Sequence, residues 1–166
     1  MRILATVILL PLVLLSRPVS GQVTGARADT TAQPDGRKSW LPSKLVPGAF
    51  YMPLVGEGAK SGPYVFRFKA PPGTRIPAHW HTQTMHQTVL SGTLLTVMGE
   101  SLDSSRVQRV GAGGFLVTPA YMRHIEWFES ETVIHVETQV PIETQFVNPN
   151  DDPRRPTRLP FRARAA

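Results

Sequence analysis

The chain has 166 residues, 41% of them apolar and 18% charged, with 16 prolines, 13 glycines and no cysteine. That length suits one domain with tails, and the lack of cysteine excludes disulfides, cysteine-ligated zinc and thiol nucleophiles. The formal charge of +6 points to nucleic acid until the charges are located. Two basic residues lie in Met1–Gly21 and five in Arg154–Ala166, leaving eleven basic against twelve acidic residues between them. The body is neutral, and no nucleic-acid partner is expected.

The chain starts with a basic Met1-Arg2, followed by Ile3 to Leu15, thirteen residues without a charge. A bilayer-spanning helix needs about 20 apolar residues, so the run is short for a span and fits the core of a signal peptide. Val19-Ser20-Gly21 supplies small residues for cleavage after Gly21, with Ala26 or Ala28 as alternatives. An uncleaved anchor is the competing reading. Residues 1–21 therefore predict a secreted or periplasmic protein with no stable membrane anchor once cleaved. Residues 22–37 are small, polar and unpatterned, and read as a linker. Residues 38–153 carry the domain. Residues 154–166, with five arginines and two prolines, read either as a solvated tail or as a contact for an anionic surface or partner subunit.

Within the domain, short apolar runs predict strands at Ala49–Leu54, Tyr64–Ala70, Arg75–His81, His86–Leu90, Thr93–Met98, Arg106–Val110, Gly114–Thr118, His124–Phe128, Thr132–Val140 and Thr144–Val147. They are rich in Val, Ile, Thr, Phe and Tyr, and Gly-Pro, Pro-Pro-Gly, Ser-Gly and Gly-Ala-Gly-Gly separate them. Tyr64, Phe66 and Phe68 alternate with Val65, Arg67 and Lys69, as a half-buried strand requires. No helical period persists for a dozen residues. The expectation is an all-β sandwich or barrel.

All five histidines fall in this strand-rich body. In a strand, residues i and i+2 share a face about 6–7 Å apart, so His79 and His81 of His-Trp-His can approach one ion from one side. Gly73 precedes them, Gly92 closes the following strand, and Gly114-Phe-Leu-Val-Thr-Pro119 leads to His124.

This layout resembles the two signature motifs of the cupin superfamily, in particular small single-domain bacterial cupins, over roughly Val46 to Arg154. The resemblance implies a cupin double-stranded β-helix, or jelly roll, with a metal inside one open end and with His79, His81 and His124 as ligands. The motif's usual glutamate is missing. Counting back from Gly92 places Met85 at its position, whereas counting forward from His81 places His86 there. Their strand parity is opposite, so only one faces inward. Met85 inside with Gln87 and Val89, and His86 outside, is the favoured register; His86 as a fourth ligand is the alternative. Histidines without a carboxylate select a divalent transition metal (Fe, Mn, Zn, Ni or Cu) over Mg or Ca. The competing reading is a cupin whose histidines merely pack and hold no metal.

Further candidates are Tyr121, as a proton donor at the metal mouth or a rim residue, and Gln87, as a polar pocket residue. Trp80 points away from its histidine neighbours. Glu126 and Trp127 sit just past His124, where either can line the mouth, and Phe66, Met85, Val89 and Trp127 are the expected apolar pocket. His135 and Glu137 share one face, either inner or outer. Asp151-Asp152 reads as a turn. The functional expectation is a metal-dependent, dioxygenase-like enzyme, or an isomerase or lyase, acting on a small organic substrate. The alternative is an exported cupin that binds a metal or small ligand without turnover. A third reading is a purely structural dimer part, and the resemblance implies a homodimer paired through sheet edges.

Overall fold

The computed structural model describes residues 39–56 and 60–155, so the expected signal peptide (1–21), linker (22–37) and most of the basic tail lie outside the described residues. The strands are β1 (Leu41–Pro42), β2 (Phe50–Val55), β3 (Gly62–Ala70), β4 (Arg75–His81), β5 (Met85–Ser91), β6 (Thr93–Met98), β7 (Gln108–Gly111), β8 (Phe115–Thr118), β9 (His124–Phe128), β10 (Thr132–Val140) and β11 (Thr144–Phe146). They form a six-stranded sheet, β1-β2-β3-β10-β5-β8, and a five-stranded sheet, β11-β4-β9-β6-β7. Every pairing is antiparallel. The connections repeatedly cross from one sheet to the other, which is the jelly-roll topology. Among the described residues, no helix is long and apolar enough to cross a membrane.

Alternation sets which residues face the interior. On β10, Thr132, Ile134, Val136, Thr138 and Val140 are buried while their neighbours are more exposed. On β5, Met85, Gln87 and Val89 are buried and His86 is exposed. The apolar core joins Phe68, Phe128, Leu94, Val89, Ile134 and Val136 among others, and the Phe68 and Phe128 rings are 6.0 Å apart between centroids. Burial of each such side chain stabilises the fold by about 1.5–3 kcal/mol. In the five-stranded sheet Leu94 pairs with Phe128 at one end and Met98 with His124 at the other, so the packed core and the histidines occupy opposite ends of β6 and β9.

Gly92, in the β5–β6 hairpin, has φ +79, and a Cβ there would meet Glu131 O at 2.3 Å and Thr132 Oγ1 at 2.5 Å. Thr132 closes the same corner: its hydroxyl accepts from Thr93 N at 3.0 Å and donates within reach of Ser130 O and Thr93 O. The turn thus requires glycine both for its backbone conformation and for space. This hairpin fixes the register of β5 and with it the inward position of Met85.

Candidate metal centre

Strand β4 does not alternate simply. Ile76 pairs with Glu126, but His79 pairs with His124, so the ladder with β9 carries one extra residue on β4 between them. A bulge of this kind reverses side-chain parity. Here it lets Ile76 point inward at one end of the strand and His79 and His81 point inward at the other. The bulge also aims the Pro77 carbonyl back at the site, where it accepts from His79 Nδ1 at 2.8 Å.

His124 starts β9 directly opposite His79. Its Nδ1 donates to Met122 O at 2.9 Å, the carbonyl two residues upstream, just as at His79. His81 Nδ1 lies 2.8 Å from Thr144 Oγ1 on β11. Carbonyl oxygens only accept, so at His79 and His124 a proton sits on Nδ1, and Nε2 is the nitrogen left for an ion. Thr144 serves His81 in the same sense when its hydroxyl accepts. Backbone carbonyls and hydroxyls in this position are the usual supports of metal-ligating imidazoles.

The three rings converge. Their centroids are 4.1 Å (His79–His124), 5.0 Å (His79–His81) and 5.4 Å (His81–His124) apart, and one ring nitrogen from each lies within 4.8 Å of the others. Two nitrogens bound to one ion at about 2.1 Å stand up to ~4.2 Å apart, so small ring rotations close the set on a single ion. His124 Nε2 is buried and has no hydrogen-bond partner. Leaving such an atom unpaired is costly, and an ion at the centre of the cluster would satisfy it. The residues therefore fit a transition metal held by three imidazoles.

Electrostatics point the same way. Burial first, and then the neighbouring His124, pushes the His81 pKa down to about 3. Burial also holds His79 well below its ordinary value, helped by His124 and His81 and opposed by the Pro77 hydrogen bond. Both rings are neutral at pH 7, the state in which imidazole ligates without first losing a proton.

The cluster opens into a cavity of about 640 Å³ whose apolar walls include Tyr51, Tyr64, Phe66, Phe68, Ile134 and Val136. Exposed Lys44, Glu143 and Arg154 also line it. Two further polar groups face inward. Gln87 donates through Nε2 to Thr118 Oγ1 at 3.3 Å and to Glu126 Oε1 at 3.4 Å. Glu126 is 4% exposed, with Oε1 3.9 Å from His124 Nε2.

Several expected site residues lie elsewhere. His86 is on the outer face of β5, stacked on Phe115 with centroids 6.3 Å apart. This corrects its reading as an alternative fourth ligand: the register set at Gly92 puts Met85 in the cavity. Tyr121 is also corrected as a proton donor. Its φ is 63, it is 64% exposed, and its ring packs on Trp80 at 5.4 Å, away from the cavity lining. Its N–H donates to His81 O at 2.8 Å, so its backbone anchors β4 while its ring stays outside. Trp127 alternates outward from Glu126, and Val89 is buried in the core and does not line the cavity. His135 and Glu137 pair at 3.5 Å on the outer face. Asp152 pairs with Arg154, and Asp151 ends a short turn.

A two-sheet jelly roll with a His-x-His pair and a third histidine gathered inside one end defines a cupin. The ChrR Cupin-like domain family matches residues 28–143, and the chain belongs to it. No curated protein matches. Among solved structures, a cupin-2 domain protein from Rhodospirillum rubrum is 13% identical, over 73% of this chain and 82% of that one, with a TM-score of 0.55. A salicylate 1,2-dioxygenase from Pseudaminobacter salicylatoxidans is 15% identical, over 63% of this chain, with a TM-score of 0.52. This chain spans only 32% of that dioxygenase. At these identities the likeness is one of fold.

Proposed function

We propose that this cupin is a metal-dependent enzyme acting on a small organic substrate, with dioxygenase-like chemistry or, with a redox-inert ion, isomerase or lyase chemistry. The observation that supports it is three imidazoles, each held through Nδ1, gathered within 4.8 Å of one another at the edge of an apolar cavity. His79, His81 and His124 would hold the ion. When bound, it supplies Lewis acidity and, for a redox-active metal, electrons for reaction with dioxygen. The chain's own residues do the rest. Phe66, Phe68, Ile134 and Val136 exclude water and accept an apolar body, and Gln87 offers its amide to a polar substrate group. A centre with three protein ligands leaves positions for substrate, unlike a closed structural site. The fold alone does not transmit the chemistry of its dioxygenase neighbour.

A second reading, a cupin that binds a metal or small ligand without turnover, is favoured by one observation: Tyr121, one candidate proton donor, lies outside the cavity. Export through residues 1–21 and pairing as a homodimer remain part of the proposal, resting on the sequence.

Elemental analysis of the purified protein tests the reading, followed by oxygen-uptake and product assays with the ion it contains. About one transition-metal ion per chain is expected, lost together with turnover in His79→Ala and His124→Ala. Full turnover by metal-free protein would end the catalytic proposal. A ligand that raises the melting temperature without forming product would select the second reading.

A further inference from the structure

The missing glutamate leaves this centre without the carboxylate that its fold relatives are expected to supply from position 85, where Met85 stands. A thioether is a poor ligand for hard divalent ions. A carboxylate does enter the cavity from another strand: Glu126, two residues after His124 and therefore on the same face of β9. It is almost fully buried, and no lysine or arginine of the described residues lies within ion-pair distance. Its carboxyl oxygens have one modest hydrogen bond, the 3.4 Å contact from Gln87, and His124 at 3.9 Å. A buried carboxylate with so little compensation is costly to the fold, so a cation nearby is the natural complement.

Distance permits it. An ion bonded to His124 Nε2 at about 2.1 Å and to a carboxylate oxygen at about 2.1 Å separates the two atoms by at most ~4.2 Å, and the observed 3.9 Å lies within that reach. Glu126 is not in the 4.8 Å set formed by the imidazoles, so contact with the shared ion requires its χ angles to turn from Gln87 toward the rings. The long hydrogen bond to Gln87 opposes that turn only weakly.

We propose that Glu126 is the carboxylate of this centre, moved from the strand of the first motif to the strand of the second, and that it joins His79, His81 and His124 on the ion. Gln87 then acts as a positioning residue that parks the carboxylate beside the cluster in the metal-free state. This rests on the reading that the three histidines bind a metal.

The test is Co(II) binding to the metal-free full chain, read by chelator competition and by visible absorption, with melting temperatures taken before and after loading. Glu126→Gln keeps the shape and removes the charge. It should weaken Co(II) binding by at least about tenfold, alter the absorption bands, and shrink the rise in melting temperature on loading. The metal-free variant should melt no lower than the metal-free parent. Met85→Glu placed on top of Glu126→Gln should recover affinity by restoring a carboxylate from the neighbouring sheet. The proposal is overturned if Glu126→Gln binds Co(II) within twofold of the parent with unchanged absorption. It is equally overturned if the metal-free variant fails to fold or melts far lower, since the carboxylate would then serve the fold through Gln87. Failure of the underlying metal reading looks different: the parent itself would not bind Co(II).

Discussion

Thr144 Oγ1 lies 2.8 Å from His81 Nδ1, joining two residues 63 positions apart in the sequence. The contact exists because β11 pairs with β4 in a register that sets Thr144 opposite His81. It fixes the ring's rotation and thereby the direction of Nε2.

Thr144→Val removes the hydroxyl while keeping the branched shape that packs against β4. Loss of such a support typically costs 10–100-fold in metal affinity, whereas one lost hydrogen bond costs the fold only about 1 kcal/mol. Chelator competition on Thr144→Val should therefore show a large drop in affinity with a small change in melting temperature, and Thr144→Ser should restore most of it. Equal affinities for Thr144→Val and the parent would remove Thr144 from the site.

Stability of the metal-free protein should fall in acid. His81 has its pKa pushed down to about 3 and His79 lies well below its ordinary value, against about 6.5 in an unfolded chain. Between those values the unfolded chain binds protons that the native site refuses, so unfolding free energy rises with pH across the window. The contribution is complete above pH ~6.5 and drains as pH falls toward 3, at up to about 1.4 kcal/mol per pH unit for each ring. Urea midpoints at pH 7.5 and 5 should differ accordingly, and His81→Phe should flatten the slope. Identical midpoints would mean that these rings are not held neutral by burial.

The five histidines should separate sharply in a metal-binding assay. His124→Ala removes a buried ligand whose Nε2 has no other partner and should abolish tight Co(II) binding. His86→Ala removes an exposed ring stacked on Phe115 and should leave affinity within about twofold, with stability changed by under ~0.5 kcal/mol. Tyr121→Phe should behave like His86→Ala. Strong loss of metal in His86→Ala would contradict the register of β5.

The strand positions were legible because alternation and turn residues are local signals: β4, β6, β9 and β10 have the bounds that the apolar runs predict, whereas the histidine trio was legible through the resemblance to the cupin motifs. The two-residue β1 was too short to carry a pattern. Parity from Gly92 was enough to place Met85 inside and His86 outside. Parity from His124 also carried the signal that Glu126, not Trp127, faces the cavity, although Trp127 was expected in the apolar pocket. Other features lie beyond local pattern. The bulge that turns His79 and His81 inward is a property of the β4–β9 pairing, and Thr144 reaches His81 only through sheet register. Tyr121 was left open between mouth and rim because it adopts φ 63, a left-handed conformation in which a side chain's direction no longer follows strand alternation.

The two glycines of the first motif invite a comparison that separates backbone conformation from space. Gly73 and Gly92 have nearly equal φ, +76 and +79, but a Cβ at Gly73 meets nothing within 4 Å, whereas at Gly92 it strikes Glu131 O at 2.3 Å and Thr132 Cα at 2.7 Å. Gly73→Ala thus carries only the left-handed penalty, about 1–2 kcal/mol. Gly92→Ala adds a collision with backbone that cannot move without parting the β5–β6 turn from β10, for a total of about 2–4 kcal/mol. In a domain of this size, that difference should appear as a melting temperature several degrees lower for Gly92→Ala than for Gly73→Ala. Because Gly92 also sets the register that points Met85 and Gln87 inward, its alanine variant should lose metal affinity as well, and Gly73→Ala should not. Equal melting temperatures for the two variants would show that the turn yields to the added methyl and does not hold β5 in register.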